Sequence, residues 1–77
     1  MITTDEIEKT LHEAMEGAVV GAIDLTGTQD HFEVRVAWEG FKGKSLIAQH
    51  QCVNKALAAA LQDGRIHALK IKTLLPQ

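Results

Sequence analysis

A chain of 77 residues, 45% hydrophobic and 23% charged, has room for one domain and one core, spanning residues 1–77. Folding at this size buries roughly 60% of the surface of the unfolded chain, which leaves no deep cleft between lobes of the kind that shelters most active sites. The net charge of −2 is unevenly spread: residues 1–39 hold nine acids against Lys9 and Arg35, a balance of −7, and residues 40–77 hold Asp63 against six basic residues, a balance of +5. Such polarity steers a partner of complementary charge. Phe32, Trp38 and Phe41 are the whole aromatic supply, which argues against a base-stacking surface for single-stranded nucleic acid. A single cysteine, Cys52, excludes an intramolecular disulfide and gives no sign of an oxidising compartment. The acidic opening MITTDEIEK lacks the basic and apolar regions of a signal peptide, and no apolar run approaches a membrane span. A cytoplasmic location is the expectation.

In chain order, Thr3-x-x-Glu6 has the form of a capping box, and Ile7, Leu11, Ala14 and Met15 recur at helical spacing. A first helix is predicted from Thr4 to Glu16, with Gly17 as its stop. Ala18 to Leu25 reads as a strand with little exposure. Thr26 to Asp30 is a polar turn. Phe32, Val34, Val36 and Trp38 then alternate with Glu33, Arg35 and Glu39, the pattern of a half-buried strand with its charges outward. The short loop makes these two strands an antiparallel hairpin. Gly40 and Gly43 break the second strand, and Ser45 caps a second helix whose buried side is marked by Leu46, Val53, Leu57, Ala60 and Leu61, ending at Gly64. Ile66 to Thr73 reads as a third strand, with Pro76 closing the chain. The fold class is α/β of the α+β kind, in the order αββαβ. The helical crossover makes the last strand parallel to a neighbour in a three-stranded mixed sheet, with the helices packed on one face.

Few residues carry a chemical signature. Gly43-Lys44-Ser45 resembles the end of a phosphate-binding loop, but Trp38 stands where that loop needs its first glycine. Gly40-x-x-Gly43 has the spacing of an RNA-clamping loop, yet it joins a strand to a helix, whereas that clamp joins two helices. Cys52, mid-helix and without an adjacent basic residue, reads as a buried small hydrophobe. No nucleophile signature and no obvious acid/base pair is present, so the chain reads as a binding module and not an enzyme.

Four histidines remain. His12 lies off the apolar stripe and should be exposed. His50 falls in the first turns of the second helix, as a structural donor or a surface residue. His31 stands where the turn becomes the second strand. His67 opens the third strand on the side of Leu69 and Ile71, so its ring should be partly sheltered. If His31 and His67 both lie at strand ends of one sheet, they make half of a coordination shell, and a partner must complete it.

The segments Asp24-Leu25-Thr26-Gly27-Thr28, Asp30-His31-Phe32-Glu33-Val34, Phe41-x-Gly43-Lys44-Ser45-Leu46, Gln49-His50-Gln51-x-Val53 and Ile66-His67-Ala68-Leu69-x-Ile71-Lys72-Thr73 together resemble the BolA family, in order along nearly the whole chain. Lys42 departs from the pattern, standing where an acid is common. The resemblance implies an αββαβ fold with a class II KH-like layout. It also implies a heterodimer with a monothiol glutaredoxin, in which a [2Fe–2S] cluster is shared between the glutaredoxin cysteine, a glutathione thiol and ligands from the BolA-like chain. The family ligand of the Ile-His-Ala segment corresponds to His67. The second, in the loop between the first two strands, corresponds to His31, since that loop holds no cysteine. Imidazole in place of thiolate lowers the negative charge of such a site and raises its potential, and it binds only when deprotonated, which suits a labile, transferable cluster.

The function so implied is an adaptor in iron–sulfur cluster trafficking or iron-status regulation. No cofactor is expected in the isolated chain, which would be a monomer or weak homodimer. The alternative is a DNA-binding transcriptional regulator using the second helix and third strand, with Arg65, Lys70 and Lys72 on phosphates.

Overall fold

The computed structural model describes residues 2–75, so Pro76 lies outside the described residues. Helix α1 (Thr4–Ala14) starts on a complete capping box: the Thr3 hydroxyl accepts from the Glu6 amide at 3.1 Å, and the Glu6 carboxylate accepts from the Thr3 amide at 3.3 Å. Ile7 and Leu11 are fully buried and Met15 nearly so, one stripe against the sheet. The helix stops at Ala14, two residues before the expected end, because Met15 leaves helical geometry and Gly17 turns the chain with a φ of +81°.

Strands β1 (Val19–Asp24) and β2 (His31–Ala37) form the expected antiparallel hairpin, Val19 opposite Ala37 and Asp24 opposite Phe32. Its turn is folded by Asp24, whose carboxylate accepts from the amides of Gly27 at 2.9 Å and Gln29 at 3.1 Å. β1 is more exposed than the sequence suggests. It is an edge strand covered on one face only, so Val20 and Ala22 pack on the core while Val19 and Ile23 face outward. The Glu8 carboxylate accepts from the Ala22 amide at 3.0 Å and so occupies part of that open edge.

After β2 the chain makes a single 3₁₀ turn, Glu39–Phe41, and the fully buried Phe41 packs edge-on against Trp38 with ring centroids 5.4 Å apart. The Trp38 indole N–H donates to the Glu16 carbonyl at 2.9 Å and ties this corner to the end of α1. Gly40 is required there by packing: a Cβ at that position would lie 2.5–2.6 Å from the Trp38 ring.

The second helix departs from expectation. It is two helices, α2 (Leu46–Ala56), capped by Ser45, and α3 (Ala58–Gln62), with the break at the buried Leu57. Leu57 has ψ of 14°, which reorients the short α3 while keeping both Leu57 and Ala60 in the core. Leu46, expected on the buried side, is 62% exposed, since it stands in the first turn and the covered stripe begins further along, at Val53. β3 (Ala68–Leu74) returns parallel to β2, His31 beside Ala68 and Ala37 beside Leu74, giving the order β1-β2-β3. Phe32, Val34 and Val36 point from the central strand into one core with Ile7, Leu11, Val53 and Ile66.

Glu33 corrects the simple alternation. It lies on the face of the sheet away from this core, yet it is only 6% exposed. The Arg35 guanidinium at 2.9 Å and the Lys70 ammonium at 3.8 Å lie over it from the same face, so the carboxylate is covered by its own counter-ions.

Candidate metal-ligating site at the end of the sheet

The parallel pairing of β2 with β3 brings two chain segments 36 positions apart, 31–32 and 67–68, to the same end of the sheet. His31 is the first residue of β2. His67 immediately precedes β3. Their ring centroids are 6.1 Å apart, with planes at 82°. His67 is not sheltered: its side chain is 59% exposed, and that of His31 is 42% exposed. The alternation that would place His67 beside Leu69 and Ile71 does not extend to it, because the strand begins only at Ala68. The amides of His67 and Ala68 both donate to the Asp30 carbonyl, at 2.7 and 3.2 Å.

Asp30 is the residue that sequence reasoning missed. Its Oδ1 lies 2.8 Å from His31 Nδ1 and its Oδ2 lies 3.4 Å from His67 Nδ1. The Thr28 hydroxyl donates to the same carboxylate. That bond first, then His31, holds the Asp30 carboxyl down from its ordinary 3.8 to about 2, partly offset by desolvation. The signal in the sequence was an acid directly before a histidine. Nothing in the sequence revealed that it faces a second histidine across two strands.

Two neutral imidazoles side by side are suitable soft-to-borderline metal ligands. Among the described residues, no group of three or more His, Cys, Asp or Glu is placed to hold a metal ion. The pair is therefore at most half of a tetrahedral shell.

The other sequence candidates are dispersed. His12 is exposed on α1, and His50 is half-buried on α2. Arg65 pairs with Asp63 at 2.8 Å in the turn after α3, and its amide and side chain together hold the Asp63 carboxyl below the usual range. Lys70 reaches toward Glu33, and the exposed Lys72 lies on the same open face. α2 packs on the opposite side, where Gln49 meets Thr73. The geometry thus separates α2 from Lys70 and Lys72 by the thickness of the sheet. Cys52, expected to be buried, is half-buried and lines an apolar groove of about 380 Å³ with Met15, Trp38 and Lys55.

The sequence of residues 4–77 matches the family model described as BolA-like protein. The chain belongs to the BolA family. It is 37% identical over 73 residues to the uncharacterized protein RP812 of Rickettsia prowazekii, covering 95% of this chain and 94% of that one. It is also 37% identical to protein BOLA2 of Arabidopsis thaliana, covering 94% of this chain and 76% of that one. A solved BolA protein homologue from Coxiella burnetii matches with a TM-score of 0.83 at 31% identity, over 99% of this chain and 94% of that one. The BolA assignment thus rests on sequence and fold together.

Proposed function

We propose that this BolA-family chain is an adaptor that pairs with a monothiol glutaredoxin and shares a [2Fe–2S] cluster with it, in iron–sulfur cluster trafficking or iron-status regulation. The single observation that carries the reading is the meeting of His31 and His67, with both rings part-exposed at one end of the sheet. Exposed imidazoles are accessible to a second protein, and a two-donor set needs one. The cluster is cargo to be accepted and passed on, and the chain's contribution is to offer neutral nitrogen ligands that release it more readily than thiolates. A protein of this kind needs no nucleophile, and a cytoplasmic site of action suits its free thiol. Among the described residues no helix is long and apolar enough to cross a membrane.

The test is reconstitution of the cluster on the chain mixed with a monothiol glutaredoxin and glutathione. The wild-type pair should give a visible absorption and circular dichroism spectrum distinct from that of the glutaredoxin alone, and His67→Ala should lose that distinct component. Identical spectra and lifetimes for the two would refute the ligand assignment.

A further inference from the structure

The cluster of polar groups around Asp30 does more than pin a turn. It is built in one direction: Asp24 gathers the amides of Gly27 and Gln29, the Thr26 and Thr28 hydroxyls touch, and Thr28 donates onward to Asp30. The Asp30 carbonyl holds the amides of His67 and Ala68, so main chain and side chain of one residue grip both histidine segments. The two carboxylate oxygens are divided between the rings, Oδ1 toward His31 and Oδ2 toward His67, and in each case the nearest ring nitrogen is Nδ1.

We infer that Asp30 is a positioning residue that sets His31 in the Nδ1–H tautomer, so that its unprotonated Nε2 is presented to a metal, while the Asp30 carbonyl holds the His67 main chain beside it. The reasoning is a count of hydrogens. A carboxylate ionised at neutral pH only accepts hydrogen bonds. The 2.8 Å contact with His31 therefore requires a proton on Nδ1, whereas His67, 3.4 Å from Oδ2 without hydrogen-bond geometry, is held by the donation of its amide to the Asp30 carbonyl. A neutral imidazole with its proton on Nδ1 carries its lone pair on Nε2, the state a ligand must have. The carboxylate fixes the rotation of the His31 ring and the carbonyl fixes the main chain of His67 beside it, which prepares the pair before any partner arrives. The part of this inference that concerns a metal rests on the ligand reading above; the tautomer assignment does not.

The experiment is long-range proton–nitrogen correlation NMR on the full chain labelled with ¹⁵N-histidine, free of metal and partner, at mildly alkaline pH where free imidazole is neutral. His12 and His50, away from Asp30, serve as internal references. The expected result is Nδ1–H as the dominant form at His31 in the wild type. In Asp30→Asn one oxygen becomes an NH₂ donor, so the His31 ring should shift toward Nε2–H while His12 and His50 stay unchanged. A wild type in which His31 shows Nε2–H, or the same mixture as His12, overturns the inference, and this outcome depends on no variant's folding and on no cluster. As a second readout, the lifetime of the cluster shared with a monothiol glutaredoxin should fall about 10- to 100-fold in Asp30→Asn, the usual effect of removing a group that orients a metal-binding histidine. A lifetime equal to wild type overturns the role toward the metal. If His67→Ala leaves the cluster spectrum untouched, the ligand reading fails, and the tautomer assignment is still decided by the NMR alone.

Discussion

At the scale of single residues, Asp30 links local chemistry to stability as well as to the histidine pair. Its carboxyl is lowered from 3.8 to about 2 by the Thr28 hydroxyl and His31, so the ionised form is favoured in the folded state more than in the unfolded one. The sign follows from proton linkage: the unfolded chain takes up this proton first as pH falls, so the stabilisation is fully present above the ordinary value and is lost down through about 2. The stability gap between wild type and Asp30→Asn should therefore be constant near neutral pH, narrow below 3.8 and close near pH 2, as read by denaturant midpoints across that range. A gap that persists unchanged to the acid end contradicts this origin. Glu33 follows the same direction, its carboxyl lowered chiefly by the Arg35 hydrogen bond and resisted by desolvation. Its burial on the open face is a product of two neighbours, one on its own strand and one on β3, and the second was invisible until the strands were placed side by side.

At the scale of elements, what could be read directly was what depends on near neighbours in sequence. The capping box at Thr3 and Glu6, the alternation from Phe32 to Val36, and the cap at Ser45 each involve residues within a few positions of one another. Replacing Thr3 by Ala should cost about 1 kcal/mol, lowering the midpoint of thermal unfolding by several degrees in a domain of this size. Thr3→Ser should restore most of the loss, and an unchanged midpoint for Thr3→Ala would mean that the box contributes nothing. The break at Leu57 was not legible, since the alanine run beside it favours helix on either side and neither glycine nor proline marks the spot. The exposure of Leu46 and of β1's outward residues follows from where the sheet ends and which strand lies at its edge. Those are properties of the assembled layers, not of the segments. The place of His31 at the start of a strand was legible, whereas His67, expected to open the third strand, stands just before it; the Asp30 contact with both was not legible, because only the β2–β3 pairing brings these residues together.

At the scale of the whole molecule, the fold brings two histidines together at one end of the sheet and leaves both part-exposed. A small BolA-family domain with one core has little interior in which to enclose a metal, and the histidines lie where a second protein can reach them. A shared ligand set needs only two imidazoles and an accessible surface, and both are present at this end of the sheet. The proposed function requires that nitrogen from this chain bind iron. Pulsed electron paramagnetic resonance on the one-electron-reduced cluster, formed with a monothiol glutaredoxin and a chain carrying ¹⁵N-histidine, tests it most directly. The expected result is a strong ¹⁵N hyperfine coupling that disappears in His67→Ala. A reduced cluster held in the heterodimer with no such coupling would contradict it.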